Sequence, residues 1–192
     1  GPEYSQDQIE NDLRSIGANF EILQNEELLN KTVDGLCDSK VVGWFQGRME
    51  FGPRSLGARS ILGDPRSKDM QKTINLKVKY RESFRPFAPS VLREEVSKWF
   101  EIDTDSPYML FVSNINTNKK IPMTNEEKKL FGIDKLNIKR SEIPAVTHVD
   151  YSARVQTISK KTNSQYHELV SKFYKKTGCP VLVNTSFNIR GE

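Results

Sequence analysis

Val41-Val42-Gly43-Trp44-Phe45-Gln46-Gly47-Arg48-Met49-Glu50-Phe51-Gly52-Pro53-Arg54-Ser55-Leu56-Gly57-Ala58-Arg59-Ser60-Ile61-Leu62 is the stretch on which the reading of this chain turns. Its first five residues are apolar and β-prone, which predicts a buried strand. A loop is expected next, holding Gly47, Gly52, Gly57 and Gly63 with Pro53 and Pro65 between and after them. Glycine at that density permits positive φ and lets backbone N–H groups come close to a ligand. Between residues 48 and 85 stand ten Lys or Arg against four acids. Guanidinium grips phosphate with two parallel hydrogen bonds, and ammonium acts as a point charge. The combination predicts a polyanionic ligand.

A glycine- and arginine-rich loop is more often solvated surface than a site. Two features weigh against that here: the arginines are unusually dense, and strongly apolar sequence flanks them, as at a cleft wall. The phosphate loops G-x-x-x-x-G-K-[ST] and G-x-G-x-x-G are both absent from the sequence. A nucleotide would therefore be held by other means.

The run from Gly43 to Leu62 resembles the signature of the O-carbamoyltransferases, the nodulation-factor and antibiotic-modifying enzymes. Three later segments agree in order: Tyr80-Arg81-Glu82-Ser83-Phe84-Arg85-Pro86-Phe87-Ala88-Pro89, Pro144-Ala145-Val146-Thr147-His148-Val149-Asp150, and Val181-Leu182-Val183-Asn184-Thr185-Ser186-Phe187-Asn188. The resemblance covers residues 1–192 as a single C-terminal, YrdC-like domain. It implies an α/β (α+β) fold, a twisted mixed β-sheet flanked by helices with a basic concave cleft. It also implies that the N-terminal Kae1-like domain is absent from this sequence, and that a final element beyond Arg190-Gly191-Glu192 is missing.

In that family the YrdC-like part condenses carbamoyl phosphate with ATP to carbamoyl-adenylate, with Mg²⁺ on the nucleotide. Fe²⁺ belongs only to the Kae1-like part, which passes the carbamoyl group to a hydroxyl. Carried onto matching positions, the resemblance gives Lys79, Arg81 and Arg85 as phosphate-binding residues, with Lys79 and Arg85 catalytic. Ser186 and Asn188 match a Ser-x-Asn element for phosphate or ribose. Arg54, Arg59 and Arg154 are further phosphate-contact candidates.

Length and composition are consistent with this. The chain has 192 residues, 36% hydrophobic, with net charge +4. That is one domain's worth of sequence with enough apolar content for a core. No apolar run reaches the roughly 18 residues a membrane span needs. Charge is uneven: residues 1–40 hold nine acids and three bases, residues 41–100 six acids and twelve bases. A positive face is expected, not a uniform coat for nucleic acid. Two cysteines and no C-x-x-C fit a reducing, cytoplasmic setting. His148 and His167 lack partners at metal-ligand spacing, so no metal site is expected in this chain.

Along the chain, helices are predicted from Ser5 to Ile16, Asn25 to Leu36, Lys68 to Lys77, Arg93 to Phe100 and Ser164 to Thr177. A short strand is expected at Phe20–Leu23, extended chain at Arg85–Leu92, and buried strands at Met109–Val112 and Val181–Val183. A hairpin is expected from residues 145–149 and 153–158 about Asp150-Tyr151-Ser152. Residues 114–142 read as a surface excursion or lid.

Two other functions remain open on the residues. One is an RNA-binding YrdC-like module, disfavoured by 9% aromatic content lying mostly inside apolar runs. The other is an enzyme like threonylcarbamoyl-adenylate synthase, which would share the phosphate logic but not the signature at 43–62.

Overall fold

The computed structural model describes residues 1–188; the expectation about Arg190-Gly191-Glu192 lies outside them. Six strands form one sheet: β1 (Val42–Phe45), β2 (Arg59–Gly63), β3 (Ala88–Leu92), β4 (Phe111–Asn114), β5 (Ser152–Ile158) and β6 (Val181–Ser186). Their order is β1-β2-β6-β3-β5-β4. Every neighbouring pair is antiparallel except β3 and β5, which run parallel. The sheet is therefore mixed, and with the helices it makes an α/β fold.

The helices are α1 (Gln6–Ser15), α2 (Asn25–Cys37), α3 (Met70–Thr73), α4 (Val96–Trp99), α5 (Asn125–Lys129), α6 (Gly132–Leu136) and α7 (Ser164–Thr177). α2 and α7 pack on each other, α2 on β1 and α7 on β3 and β6. The spacing Leu29, Val33 and Leu36 places one buried stripe on α2. Tyr166, Leu169, Val170 and Phe173 do the same for α7, each 0% exposed. Burying one such side chain contributes roughly 1.5–3 kcal/mol, so this pair of stripes anchors the sheet. α7 starts where the Asn163 side chain accepts the Tyr166 N–H and stops at Gly178, whose φ of +72° suits a left-handed cap. α1 is closed by a capping box between Ser5 and Gln8 but buries nothing.

Four expectations need correction. Residues 59–63, taken as loop, are the fully buried β2. Phe20–Leu23 is irregular, with Ile22 exposed. The Met109–Val112 run is not a buried strand: β4 begins at Phe111 and pairs with β5 alone, at the sheet edge, so Leu110, Phe111 and Val112 face solvent. There is no hairpin about Asp150, because Pro144–Val146 forms a 3₁₀ turn and β5 lies between β3 and β4. The predicted helix at 68–77 is present but changes form: α3 continues into a π-helical turn, Ile74–Val78, with the Lys79 N–H donating to the Ile74 carbonyl at 2.9 Å. Residues 114–142 begin with the end of β4 and then hold only short helical pieces and two isolated bridges, Phe100 to Ile115 and Lys120 to Ser141.

Gly57 shows how tightly the signature loop lies on α7. Its φ is +103°, and a Cβ there would sit 2.2 Å from Cδ1 of the fully buried Tyr166. Gly57→Ala is expected to cost about 3 kcal/mol, from backbone strain and overpacking together. Urea unfolding followed by tryptophan fluorescence checks this.

Candidate functional site

Three pieces of chain meet where β6 ends and β3 begins. The first is the signature loop. Its conformation is held from inside by Glu50, whose Oε1 accepts the N–H groups of Leu56 (2.7 Å), Ala58 (2.7 Å) and Arg59 (3.2 Å). Ser60 adds a second clamp: its Oγ lies 2.7 Å from Ser55 Oγ and accepts the Gly57 N–H at 3.0 Å.

The loop is then tied to the middle of the sheet. Asn184 on β6 donates through Nδ2 to the Ser55 carbonyl (3.0 Å), Ser90 Oγ (3.0 Å) and Gln156 Oε1 (2.9 Å). Gln156 on β5 donates to the Leu56 carbonyl at 2.8 Å, and the Ser90 hydroxyl donates to Gln156. Asn184, Ser90 and Gln156 are at most 4% exposed. The donors of Asn184 and Gln156 are satisfied in this way, while Asn184 Oδ1 is buried without a partner among the described residues; buried donors so held specify geometry strongly.

The second piece is residues 80–88. Asn75, fully buried in the π-helical turn, uses both ends of its amide on it. Its Oδ1 accepts Arg81 Nε at 2.7 Å, and its Nδ2 donates to the carbonyls of Ser83 (3.1 Å) and Arg85 (2.8 Å). Arg81 also lies 5.1 Å from the centre of the Phe87 ring. The third piece is Arg154 on β5, with Nη2 3.9 Å from the sulfur of Met109, a residue held at φ +55°.

Together they line a cleft of about 210 Å³ that includes Arg54, Arg81, Arg154, Asn184 and Ser186, walled by Pro53, Pro86 and Phe87. Among the described residues no Asp or Glu lines it. Nε of Arg54 and of Arg154 is buried with no hydrogen-bond partner among the described residues. Burial lowers the pKa of Arg81, with the Arg85 charge acting in the same direction. Burial likewise lowers that of Arg154, and the neighbouring Arg54 charge adds to it. Guanidinium stays protonated regardless, so the cleft concentrates positive charge that the protein leaves uncompensated. An oxyanion is the group it suits.

Of the residues singled out in the sequence, Arg54, Arg81, Arg154 and Ser186 come together here. Lys79 is beside them but turned to structure: it is 4% exposed, and its ammonium donates to the Ser186 carbonyl, Ser186 Oγ (3.1 Å), the Asn188 carbonyl (2.7 Å) and Asn188 Oδ1 (2.9 Å). Asn188 is thus Lys79's partner and does not line the cleft. Arg59 lies elsewhere, donating to the carbonyls of Gln46 (2.8 Å), Ala58 (2.8 Å) and Gly47 (3.0 Å) with its guanidinium 3.4 Å over Phe45. Arg85 is exposed, with Nε 2.9 Å from Glu82, and does not line the cleft.

Glu50, Asn75, Ser90, Gln156 and Asn184 were not foreseen as site residues. For Asn75, Ser90, Gln156 and Asn184 the only signal is a polar residue inside an apolar helix or strand; Glu50, in the loop, gives none.

The histidines and cysteines stand apart from the cleft. His148 is half-buried, and burial lowers its pKa; its Nδ1 is 3.5 Å from Ser152 Oγ, which donates instead to Asp150 at 2.7 Å. His167 pairs with Glu94 at 2.8 Å. Burial pushes the Cys179 thiol up to about 12, so it is a packing residue and not a nucleophile. Among the described residues no three His, Cys, Asp or Glu side chains group as a metal site. No helix among them is long and apolar enough to cross a membrane.

Residues 33–192 match the family model described as carbamoyltransferase C-terminus. This chain belongs to the carbamoyltransferase C-terminal family. Over its whole length it is 54% identical to an uncharacterized Synechocystis protein, covering 32% of that relative. It is 41% identical to the nodulation protein NolNO of Sinorhizobium fredii over 98% of this chain and 25% of that one. It is 37% identical to the 3'-hydroxymethylcephem-O-carbamoyltransferase of Amycolatopsis lactamdurans, over 88% of this chain and 28% of that enzyme. The chain thus spans about a quarter to a third of the length of these relatives.

A cluster of like charges held out of water is destabilising until a ligand neutralises it. Arg154→Leu is expected to stabilise the unliganded protein by about 1 kcal/mol. The same change should reduce the rise in Tm that inorganic phosphate gives the unsubstituted protein. Thermal unfolding with and without phosphate measures both effects.

Proposed function

We propose that this carbamoyltransferase region binds ATP and carbamoyl phosphate and forms carbamoyl-adenylate, as a YrdC-like domain working with a Kae1-like domain of the same polypeptide. The observation that carries this reading is the convergence of Arg54, Arg81 and Arg154 on one cleft without a carboxylate.

The chemistry needs little from the protein except charge and alignment. Atom balance requires one water: carbamoyl phosphate gives carbamate and phosphate. A carbamate oxygen then displaces pyrophosphate from the α-phosphorus of ATP. Both steps develop negative charge on phosphoryl oxygens. Arg54 and Arg154 line the cleft, each with a buried Nε–H that has no partner among the described residues, and Arg81 is aimed by Asn75. Ser186 lines the cleft with a hydroxyl that donates to Asn188 Oδ1 and accepts from Lys79. Lys79 therefore acts as a positioning residue, and Arg59 and Arg85 stay outside the reacting shell.

The cleft's lining of cations and amides does not suit a resident divalent metal, so Mg²⁺ would enter on the nucleotide's own oxygens. Fe²⁺ and the hydroxyl acceptor would belong to parts of the enzyme outside these residues.

Pyrophosphate release measured with ATP and carbamoyl phosphate tests the proposal. Release that depends on both substrates, and falls at least about 100-fold in Arg81→Ala, is the expected result. Release with threonine and bicarbonate in place of carbamoyl phosphate would point to the threonylcarbamoyl-adenylate reaction instead. Absence of ATP binding, with RNA binding that weakens steeply with salt, would overturn the enzyme reading.

A further inference from the structure

A second cavity, of about 270 Å³, lies between α3 and the chain following α6, and shares no lining residue with the arginine cleft. At about 30 Å³ per water molecule it has room for roughly nine waters. Lys68, Lys72 and Lys139 line it, with Asp69 the one acid among its lining residues. Lys68 stands in the turn before α3 and Lys72 on α3 itself, both exposed. Lys139 brings a third ammonium from a distant part of the chain. None of the three forms an ion pair among the described residues.

The opposite wall is fixed in advance. Gln71 Nε2 donates to the carbonyls of Phe84 and Arg85, each at 3.1 Å, and Asn75 Nδ2 donates to the Ser83 carbonyl. Ser83 and Phe84 face this cavity, while Arg81 and Pro86 of the same segment face the cleft. A preformed polar hollow with three ammonium groups and one carboxylate is built for a small multivalent anion. Ammonium recognises charge more than planar shape, which favours a phosphate or diphosphate over a carboxylate.

We propose that this lysine-lined cavity is a second anion site, for inorganic diphosphate or a phosphate of similar size, separate from the arginine cleft. It stands on its own residues and does not depend on the proposed reaction.

Titration calorimetry with inorganic pyrophosphate tests it in four proteins: the unsubstituted chain, Lys72→Gln/Lys139→Gln, Arg154→Leu, and Lys128→Gln/Lys129→Gln as a control of equal charge change. Circular dichroism verifies that each is folded. The unsubstituted chain is expected to show two binding events. The cavity variant should lose one, at least tenfold in Kd, which Arg154→Leu retains and the control leaves intact. A single event removed by Arg154→Leu would overturn the second site and leave the proposed function standing. Two events that survive the cavity substitutions, or an equal loss in the control, would overturn it as well. Loss in the cavity variant with no change in Arg154→Leu would support the second site and count against the cleft reading.

Discussion

The side-chain amide of Asn184 joins four parts of this molecule at one point. From the central strand β6 it reaches the signature loop at Ser55, β3 at Ser90 and β5 at Gln156. A buried amide whose donors are satisfied in one arrangement only is costly to misplace, because each lost partner would leave a desolvated polar group behind. The strand register and the loop position are therefore fixed together. A slip of one residue in β6 would turn Asn184 to the other face and release the loop.

Other parts of the fold make that arrangement affordable. The apolar stripes of α2 and α7 supply the stability, and Tyr166 on α7 packs against the place where Gly57 lets the loop come close. Stability is then available to offset a cluster of guanidinium groups that repel one another in a partly desolvated cleft. Glu50 and Asn75 work in the same sense from either side. Each spends its hydrogen-bonding capacity on backbone or on an arginine, and neither brings negative charge into the cleft lining.

α1, α2 and α7 were legible because their signals are local, whereas α5 and α6 lie in the stretch read as a surface excursion. Ser5 with Gln8, the Leu29-Val33-Leu36 spacing and Gly178 all act within a turn or two of themselves. β2 was not legible: Arg59, Ser60 and Gly63 leave only Ile61 and Leu62 as a strand signal, and the burial of Ser60 depends on a loop clamp formed by tertiary contact. β4 misled in the opposite way, since Leu110, Phe111 and Val112 have a core-like composition at a sheet edge. For the site, residue type pointed to a polyanion, and Arg54, Arg81, Arg154 and Ser186 do meet. Sequence could not tell these from Arg59, which is spent on backbone carbonyls, or from Arg85, which lies outside the cleft beside Glu82. Which guanidinium groups are left unpaired is decided by the fold.

Hydrogen–deuterium exchange with and without ATP and carbamoyl phosphate tests this account most directly. Ligand-dependent protection is predicted in residues 53–59, 80–88 and the part of β5 around Arg154, the three pieces that meet at the cleft. Protection confined to other parts of the sheet, with these three segments unchanged, would contradict it.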